Sequence, residues 1–272
     1  MPEGPQVPAS GAATAPTAGP FDALAADYDR QFTQSLLGGT LRRAVWRRLD
    51  ATFPPGQRVL ELACGTGEDA VHLGGRGVRV LATDGSGEMV EAARRKVVRA
   101  GLAGLVEARR LPFDRLAELP EGAFDGAFSN FGGVNCAADL AALGRDLARV
   151  LKPAAPVLLC VMGPLVPWEW LWFGLRGDLR SASRRLRRGG ALWRGIRVVY
   201  PSPRRLERTL RPWFRVERRA AIGALVPFPA AEPWARRHPD LIARLDARER
   251  RWETLWPLPW LADHYLLELV RR

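Results

Sequence analysis

Residues 59–67 read Val-Leu-Glu-Leu-Ala-Cys-Gly-Thr-Gly, and residues 80–86 read Val-Leu-Ala-Thr-Asp-Gly-Ser. An apolar strand runs into a tight glycine loop, a helix follows, and a second apolar strand ends in a carboxylate, Asp84. Gly65 and Gly67 let the backbone turn sharply and approach a ligand closely. A helix starting near Glu68 presents unpaired N–H groups to that ligand. An acid closing the second strand can accept both hydroxyls of a ribose. This is the layout of a site for a nucleotide-type ligand.

The details narrow the ligand. The dinucleotide fingerprint is Gly-x-Gly-x-x-Gly, and the third glycine is missing here. An acid, Glu61, stands four residues before Gly65, and Glu68 and Asp69 open the helix. Negative side chains there repel a pyrophosphate and suit a ligand with an ammonium end and a sulfonium centre. The segment resembles motif I of the class I S-adenosylmethionine-dependent methyltransferases, (Asp/Glu)-x-Gly-x-Gly-x-Gly, with Ala63 in place of the first glycine. The likeness is to the broad group that includes quinone and natural-product methyltransferases. It implies S-adenosylmethionine as methyl donor, S-adenosylhomocysteine as product, and Glu61, Ala63, Cys64, Gly65, Thr66 and Gly67 around the donor.

The resemblance extends further. Asp84-Gly85-Ser86 with Met89 is similar to the family's Asp-x-Ser-x-x-Met, which makes Asp84 the ribose-binding acid. Many relatives carry an adenine-binding Asp just after the third strand, where Leu111 falls here. Either Asp114 accepts the adenine amino group, or the backbone of the Leu111-Pro112-Phe113 segment serves it. Asn130-Phe131-Gly132 ends the fourth strand where DNA methyltransferases carry Asn-Pro-Pro-Tyr. The missing prolines argue against base methylation and leave Asn130 for the methionine ammonium or a substrate heteroatom. Tyr28, in Ala-Asp-Tyr-Asp, resembles the N-terminal Tyr-Asp that folds over the donor in relatives.

The 272 residues suffice for one elaborated domain. No run reaches the roughly 20 apolar residues of a membrane span. Residues 1–20 are rich in Ala, Pro, Gly, Ser and Thr, without a basic start or an apolar h-region. That composition predicts a disordered tail rather than a signal peptide. Three unpatterned cysteines, two of them in expected core strands, predict free thiols in a reducing cytoplasm. No Cys/His spacing suggests a metal. Charge is placed unevenly: residues 1–162 are neutral, with 18 basic and 18 acidic side chains. Residues 163–272 hold 23 arginines against 11 acids, hence the whole net charge of +12, together with nine of the ten tryptophans.

Alternating patterns predict a helical lid over 21–53, strands 58–64, 78–83, 104–110, 124–129 and 156–162, and helices between them. Five apolar strands alternating with helices imply a doubly wound α/β sheet, which binds ligands beyond the carboxyl ends of its strands. The resemblance implies a Rossmann-like seven-stranded sheet whose last strand is antiparallel, with 213–222 and 265–270 as the final pair. Residues 164–200 and 224–260 then become cap insertions, and 21–272 a single methyltransferase domain.

Methyl transfer from a sulfonium is an in-line displacement, helped chiefly by orientation and exclusion of water. A base is needed only where the acceptor must lose a proton. Glu169, just past the fifth strand, is the first candidate, followed by His238 and Tyr200. Trp168 and Trp172 lie four residues apart in Val-Pro-Trp-Glu-Trp-Leu-Trp-Phe-Gly. This stretch reads as the wall of a pocket for a flat or lipophilic acceptor, as a surface resting on an anionic membrane with Arg184, Arg185, Arg187 and Arg188 toward head groups, or as a lid packed on the core. Small-molecule methylation is the leading reading. RNA methylation is suggested by the basic cap, but no appended nucleic-acid module is visible and the tail is not basic. Membrane-lipid methylation and an inert donor-binding scaffold are the remaining alternatives. No feature sets an oligomeric state.

Overall fold

The computed structural model describes residues 21–22, 25–187, 189–193 and 195–272. The expected tail at 1–20 and Arg188 lie outside the described residues. The strands are β1 (Arg58–Leu62), β2 (Arg79–Asp84), β3 (Val106–Arg110), β4 (Gly126–Ser129), β5 (Pro156–Met162), β6 (Ala191–Trp193), β7 (Ile196–Val198), β8 (Phe214–Ile222) and β9 (His264–Arg271). The helices are α1 (Ala25–Tyr28), α2 (Leu36–Thr52), α3 (Glu68–Gly74), α4 (Gly87–Arg99), α5 (Leu140–Val150), α6 (Pro167–Gly174), α7 (Leu179–Ala182), α8 (Pro203–Leu210), α9 (Glu232–Ala235) and α10 (Pro239–Trp252).

Seven strands form one sheet in the order β3-β2-β1-β4-β5-β9-β8. The pairs β1–β2, β2–β3, β1–β4 and β4–β5 are parallel. Strand β9 inserts between β5 and β8, antiparallel to both. Helices cover both faces, so the central strands are apolar without alternation: Val59, Leu60 and Leu62 of β1 and Val157 to Val161 of β5 are all buried. Fully burying each such side chain contributes about 1.5–3 kcal/mol. The order reverses between β1 and β4, so the crevice of a doubly wound sheet opens above those two strand ends.

The 21–53 region is broken rather than one helix. A π-type turn over Asp29–Thr33 follows α1, and Ser35 caps α2 by accepting the Gly38 N–H at 3.0 Å. The break lets the first turns lie across the glycine loop while α2 packs on the sheet. Helix α2 is fastened to α3 through Asp69, whose oxygens take the Arg42 guanidinium at 2.7 Å and the Trp46 indole N–H at 2.6 Å.

The segment 164–200 carries α6, α7 and the β6–β7 hairpin, and 224–260 carries α9 and α10. The second of these packs on the start of α2. Glu232 accepts the Leu36 and Leu37 N–H groups at 2.8 and 2.9 Å. Glu249, buried on α10, accepts the Gly223, Leu225 and Val226 N–H groups.

Candidate functional site

The loop from β1 to α3 is built on three left-handed residues, Ala63 (φ 53°), Gly65 (φ 53°) and Gly67 (φ 76°). The two glycines are there for different reasons. A Cβ on Gly67 would come within 2.8 Å of the Ala93 Cβ, so Gly67 admits α4. A Cβ on Gly65 would meet nothing within 4 Å, so Gly65 faces open space above the strand ends. Ala63 accepts the strain of a left-handed alanine, roughly 1–2 kcal/mol.

Asp84 ties this loop to β2. Its Oδ2 accepts the Gly65 N–H at 2.9 Å and its Oδ1 the Ser86 N–H at 2.8 Å. Burial pushes its carboxyl above the usual range, partly offset by those N–H groups. A carboxylate has about four acceptor sites, so two remain for a ligand's hydroxyls. Ser86 caps α4 by accepting the Met89 N–H at 3.2 Å. The Leu111 N–H bonds the Asp84 carbonyl at 2.9 Å, and Pro112 lies beside Gly85. This places the 111–113 segment along the same edge. Asp114 is exposed on the short 3-10 turn Phe113–Glu118.

The N-terminal turns reach over this edge. Asp29 accepts the Thr66 hydroxyl at 2.6 Å and pairs with Lys96 at 2.7 Å, while Asp22 accepts the Ser86 hydroxyl. Tyr28 is half-buried among them, and burial raises its hydroxyl pKa against the opposing pull of Arg42. Its ring lies 5.9 Å from Phe32, which meets Phe131 edge-on at 5.0 Å. The acids at the start of α3 do not face the crevice freely: Glu68 pairs with Lys96 at 2.7 Å, and Asp69 is held by α2.

Unmet polar atoms concentrate at the switch point. Glu61 Oε2, Ser129 Oγ and both amide atoms of Asn130 are buried without a partner among the described residues. Glu61 sits opposite Phe128 in the β1–β4 register, which brings these groups to adjacent strand ends. Burial, then the charge of Asp69, pushes the Glu61 carboxyl well above its usual range. Unsatisfied buried groups cost about 1–3 kcal/mol each, and a ligand bearing an ammonium and polar atoms would meet that need. The residues present therefore fit S-adenosylmethionine. Burial holds the Cys64 thiol well above the usual range.

The candidate bases fall in two places. Glu169 is buried beneath two guanidiniums: Arg184 at 2.5 Å, and Arg185 at 2.7 and 3.1 Å. Arg185 also reaches Asp263 Oδ1 at 2.5 Å and lies over the Tyr200 ring at 5.4 Å. Both Glu169 oxygens are thus engaged in fixing the cap. Tyr200 is half-buried, and burial raises its hydroxyl pKa. His238 is exposed before α10, its ring 5.0 Å from Trp234 on α9, apart from the other two. Trp172 packs edge-on against Phe228 at 6.3 Å and under the Arg176 guanidinium, while Trp168 is half-buried.

Asn135, Asp263 and Arg42, all of this edge, escaped sequence reasoning. Asn135 binds the Met162 N–H at 2.9 Å and donates to the Met162 and Val199 carbonyls, joining β5 to the cap. Asp263 bridges Arg185 and His264, and the His264 ring meets Phe131 edge-on at 5.4 Å. Arg42 is buried on an otherwise apolar helix face, 5.0 Å above the Phe131 ring. That guanidinium on a buried stripe was the one signal available.

Residues 59–154 match the family model described as "Methyltransferase domain". The chain is 37% identical over 161 residues to a demethylmenaquinone methyltransferase of Beutenbergia cavernae, a match covering 57% of this chain and 62% of that protein. The match thus spans less than two thirds of that curated relative. Among solved structures, an S-adenosylmethionine dependent methyltransferase from Mesorhizobium loti is similar in fold (TM-score 0.53, 22% identity, 84% of this chain and 98% of that one). So is geranyl diphosphate C-methyltransferase from Streptomyces coelicolor A3(2), solved with Mg2+, geranyl diphosphate and S-adenosyl-L-homocysteine (TM-score 0.56, 14% identity, 85% and 77%).

Proposed function

We propose that the chain is a class I S-adenosylmethionine-dependent methyltransferase, a reading supported by the methyltransferase-domain match over residues 59–154 and by the likeness to a demethylmenaquinone methyltransferase, and that it methylates a small lipophilic acceptor of the quinone type. The observation that carries the donor half is the pairing of the Asp84 carboxylate with the glycine loop, set beside the unpartnered Glu61 and Asn130 atoms. The acceptor half is supported by a relative whose name gives demethylmenaquinone as its substrate, and by the aromatic content of the cap.

Bound S-adenosylmethionine supplies an electrophilic methyl group on a sulfonium. The rest is the work of this chain's residues. Asp84 would accept the ribose hydroxyls, the 111–113 backbone would border the base, and Glu61 and Asn130 would hold the amino-acid end. Tyr28, Phe32 and Phe131 close over the edge and exclude water, which favours an in-line displacement without a dedicated base. Any of these rings that met the sulfonium would add cation–π attraction of about 0.5–2 kcal/mol.

The experiment is calorimetry with S-adenosylmethionine and S-adenosylhomocysteine, followed by mass spectrometry of a demethylmenaquinone analogue incubated with donor and protein. A mass gain of one methyl, dependent on Asp84, is expected. Donor binding without transfer to any quinone-type acceptor overturns the acceptor class. Absence of donor binding overturns both halves.

A further inference from the structure

Helix α6, Pro-Trp-Glu-Trp-Leu-Trp-Phe-Gly, is apolar nearly all round, a composition that physical chemistry reserves for helices covered on every side. It is covered on one side only. Glu169 faces inward to Arg185, with Trp172 and Phe173 half-buried near it. Leu171 and Leu175 follow at about 200° and 240° of helical rotation from Glu169, on the opposite side. They are 54% and 78% exposed, Trp170 is 38% exposed, and Leu179, opening α7, is 70% exposed. Among the described residues, six of the eleven strongly exposed large apolar side chains fall between 170 and 192.

The charge around this face has one sign. Arg176, Arg180 and Arg187 are exposed, and Arg184 is partly so. The two acids of the segment are Glu169, buried in its ion pairs, and Asp178, which accepts the Ser181 N–H at 3.0 Å. Exposed leucines and a tryptophan flanked by guanidiniums form the pattern that enters a bilayer interface with anionic head groups. A second copy docked by two-fold symmetry would set the same guanidiniums against each other. The structure gives the cap a firm base for such a load, because Arg185 anchors it to Glu169, Asp263 and the Gly163 carbonyl.

We infer that the outer face of α6 and α7 docks the protein on an anionic phospholipid bilayer, with Trp170, Leu171, Leu175 and Leu179 inserted and Arg176, Arg180 and Arg187 at the head groups. The inference stands on surface composition and does not depend on the methyl acceptor. Vesicle binding and donor binding therefore fail separately.

Flotation of the full chain with vesicles of phosphatidylcholine alone, or mixed with phosphatidylglycerol, tests it. The protein floats with the mixed vesicles and far less with the neutral ones, and added salt weakens the association. The triple variant Leu171→Gln/Leu175→Gln/Leu179→Gln and the triple variant Arg176→Gln/Arg180→Gln/Arg187→Gln each bind about tenfold more weakly or worse. Thermal melting and donor affinity report that the variants fold, and the single Leu175→Gln serves if a triple variant does not. Equal binding to both vesicle types, wild-type-like binding of the leucine variant, or a dimer in solution that the leucine variant abolishes would overturn the inference.

Discussion

The Gly65 N–H donates to Asp84 Oδ2 at 2.9 Å, so the acid that ends β2 holds the loop that ends β1. One carboxylate thus shapes the loop and, in the proposed site, would offer its remaining acceptor sites to a ribose. Replacing it removes both services. Asp84→Asn is expected to weaken S-adenosylmethionine binding roughly tenfold to a hundredfold, the worth of one or two charge-assisted hydrogen bonds. Asp84→Ala weakens it further. Calorimetry that finds wild-type affinity in Asp84→Ala removes Asp84 from the site.

Glu61 gives a pH signature. Its folded-state pKa is raised, by burial first and the Asp69 charge second. The stability it contributes is fully present below its unfolded value, about 4.5, and is lost as pH rises through the folded value. Glu61→Gln, which mimics the neutral form, is therefore expected to melt higher than wild type at neutral pH, with the gap closing on acidification. Donor binding moves the other way: an ammonium beside Glu61 favours the ionised form, so wild-type affinity tightens with rising pH and the variant's does not. Parallel melting curves at all pH values would refute this assignment.

Gly65 and Gly67 separate ligand from packing. Gly67→Ala meets the Ala93 Cβ at 2.8 Å as well as a left-handed backbone. It is expected to cost about 2 kcal/mol or more of stability. Gly65→Ala pays only the backbone strain, roughly 1–2 kcal/mol, but puts a methyl group into the open space. Donor affinity should fall more than stability in Gly65→Ala, and stability more than affinity in Gly67→Ala. Melting curves and titrations of the two variants decide the matter.

Removing Arg185 leaves Glu169 and Asp263 buried without their shared partner. Arg185→Met is expected to destabilise by about 3–5 kcal/mol, read by urea unfolding. Burial would raise the Asp263 carboxyl, but His264 and Arg185 hold it well below the usual range. Its contribution is present above about pH 3.8 and is lost as pH falls through the lower folded value. Glu169→Gln should lower the melting temperature while the folded fraction still transfers methyl. A stable variant with no transfer would instead make Glu169 the base.

The alternation of strands and helices, the glycine loop and the carboxylate at 84 were legible in the chain because each is a local matter. Strand and helix follow from the period of apolar residues, and the glycines at 65 and 67 mark a loop whose backbone turns left-handed at both. The terminal strand pair was legible through the family resemblance instead. What no local pattern carries is the identity of partners far apart in sequence. Asp69 and Glu68 look like free acids beside a cofactor until Arg42, Trp46 and Lys96 fold onto them. Glu169 has the chemistry of a base, yet Arg185 and Asp263 draw it into a buried ion-pair network. Asn135 and Asp263 carry no motif at all, and only the packing of the cap on the sheet edge gives them their cap partners Val199 and Arg185. The sequence determined the strand–helix alternation and the glycine loop by short-range stereochemistry. The tertiary structure alone decided which charges remain free to act, because their pairing and burial join residues from 16 (Glu169 and Arg185) to 78 (Arg185 and Asp263) positions apart.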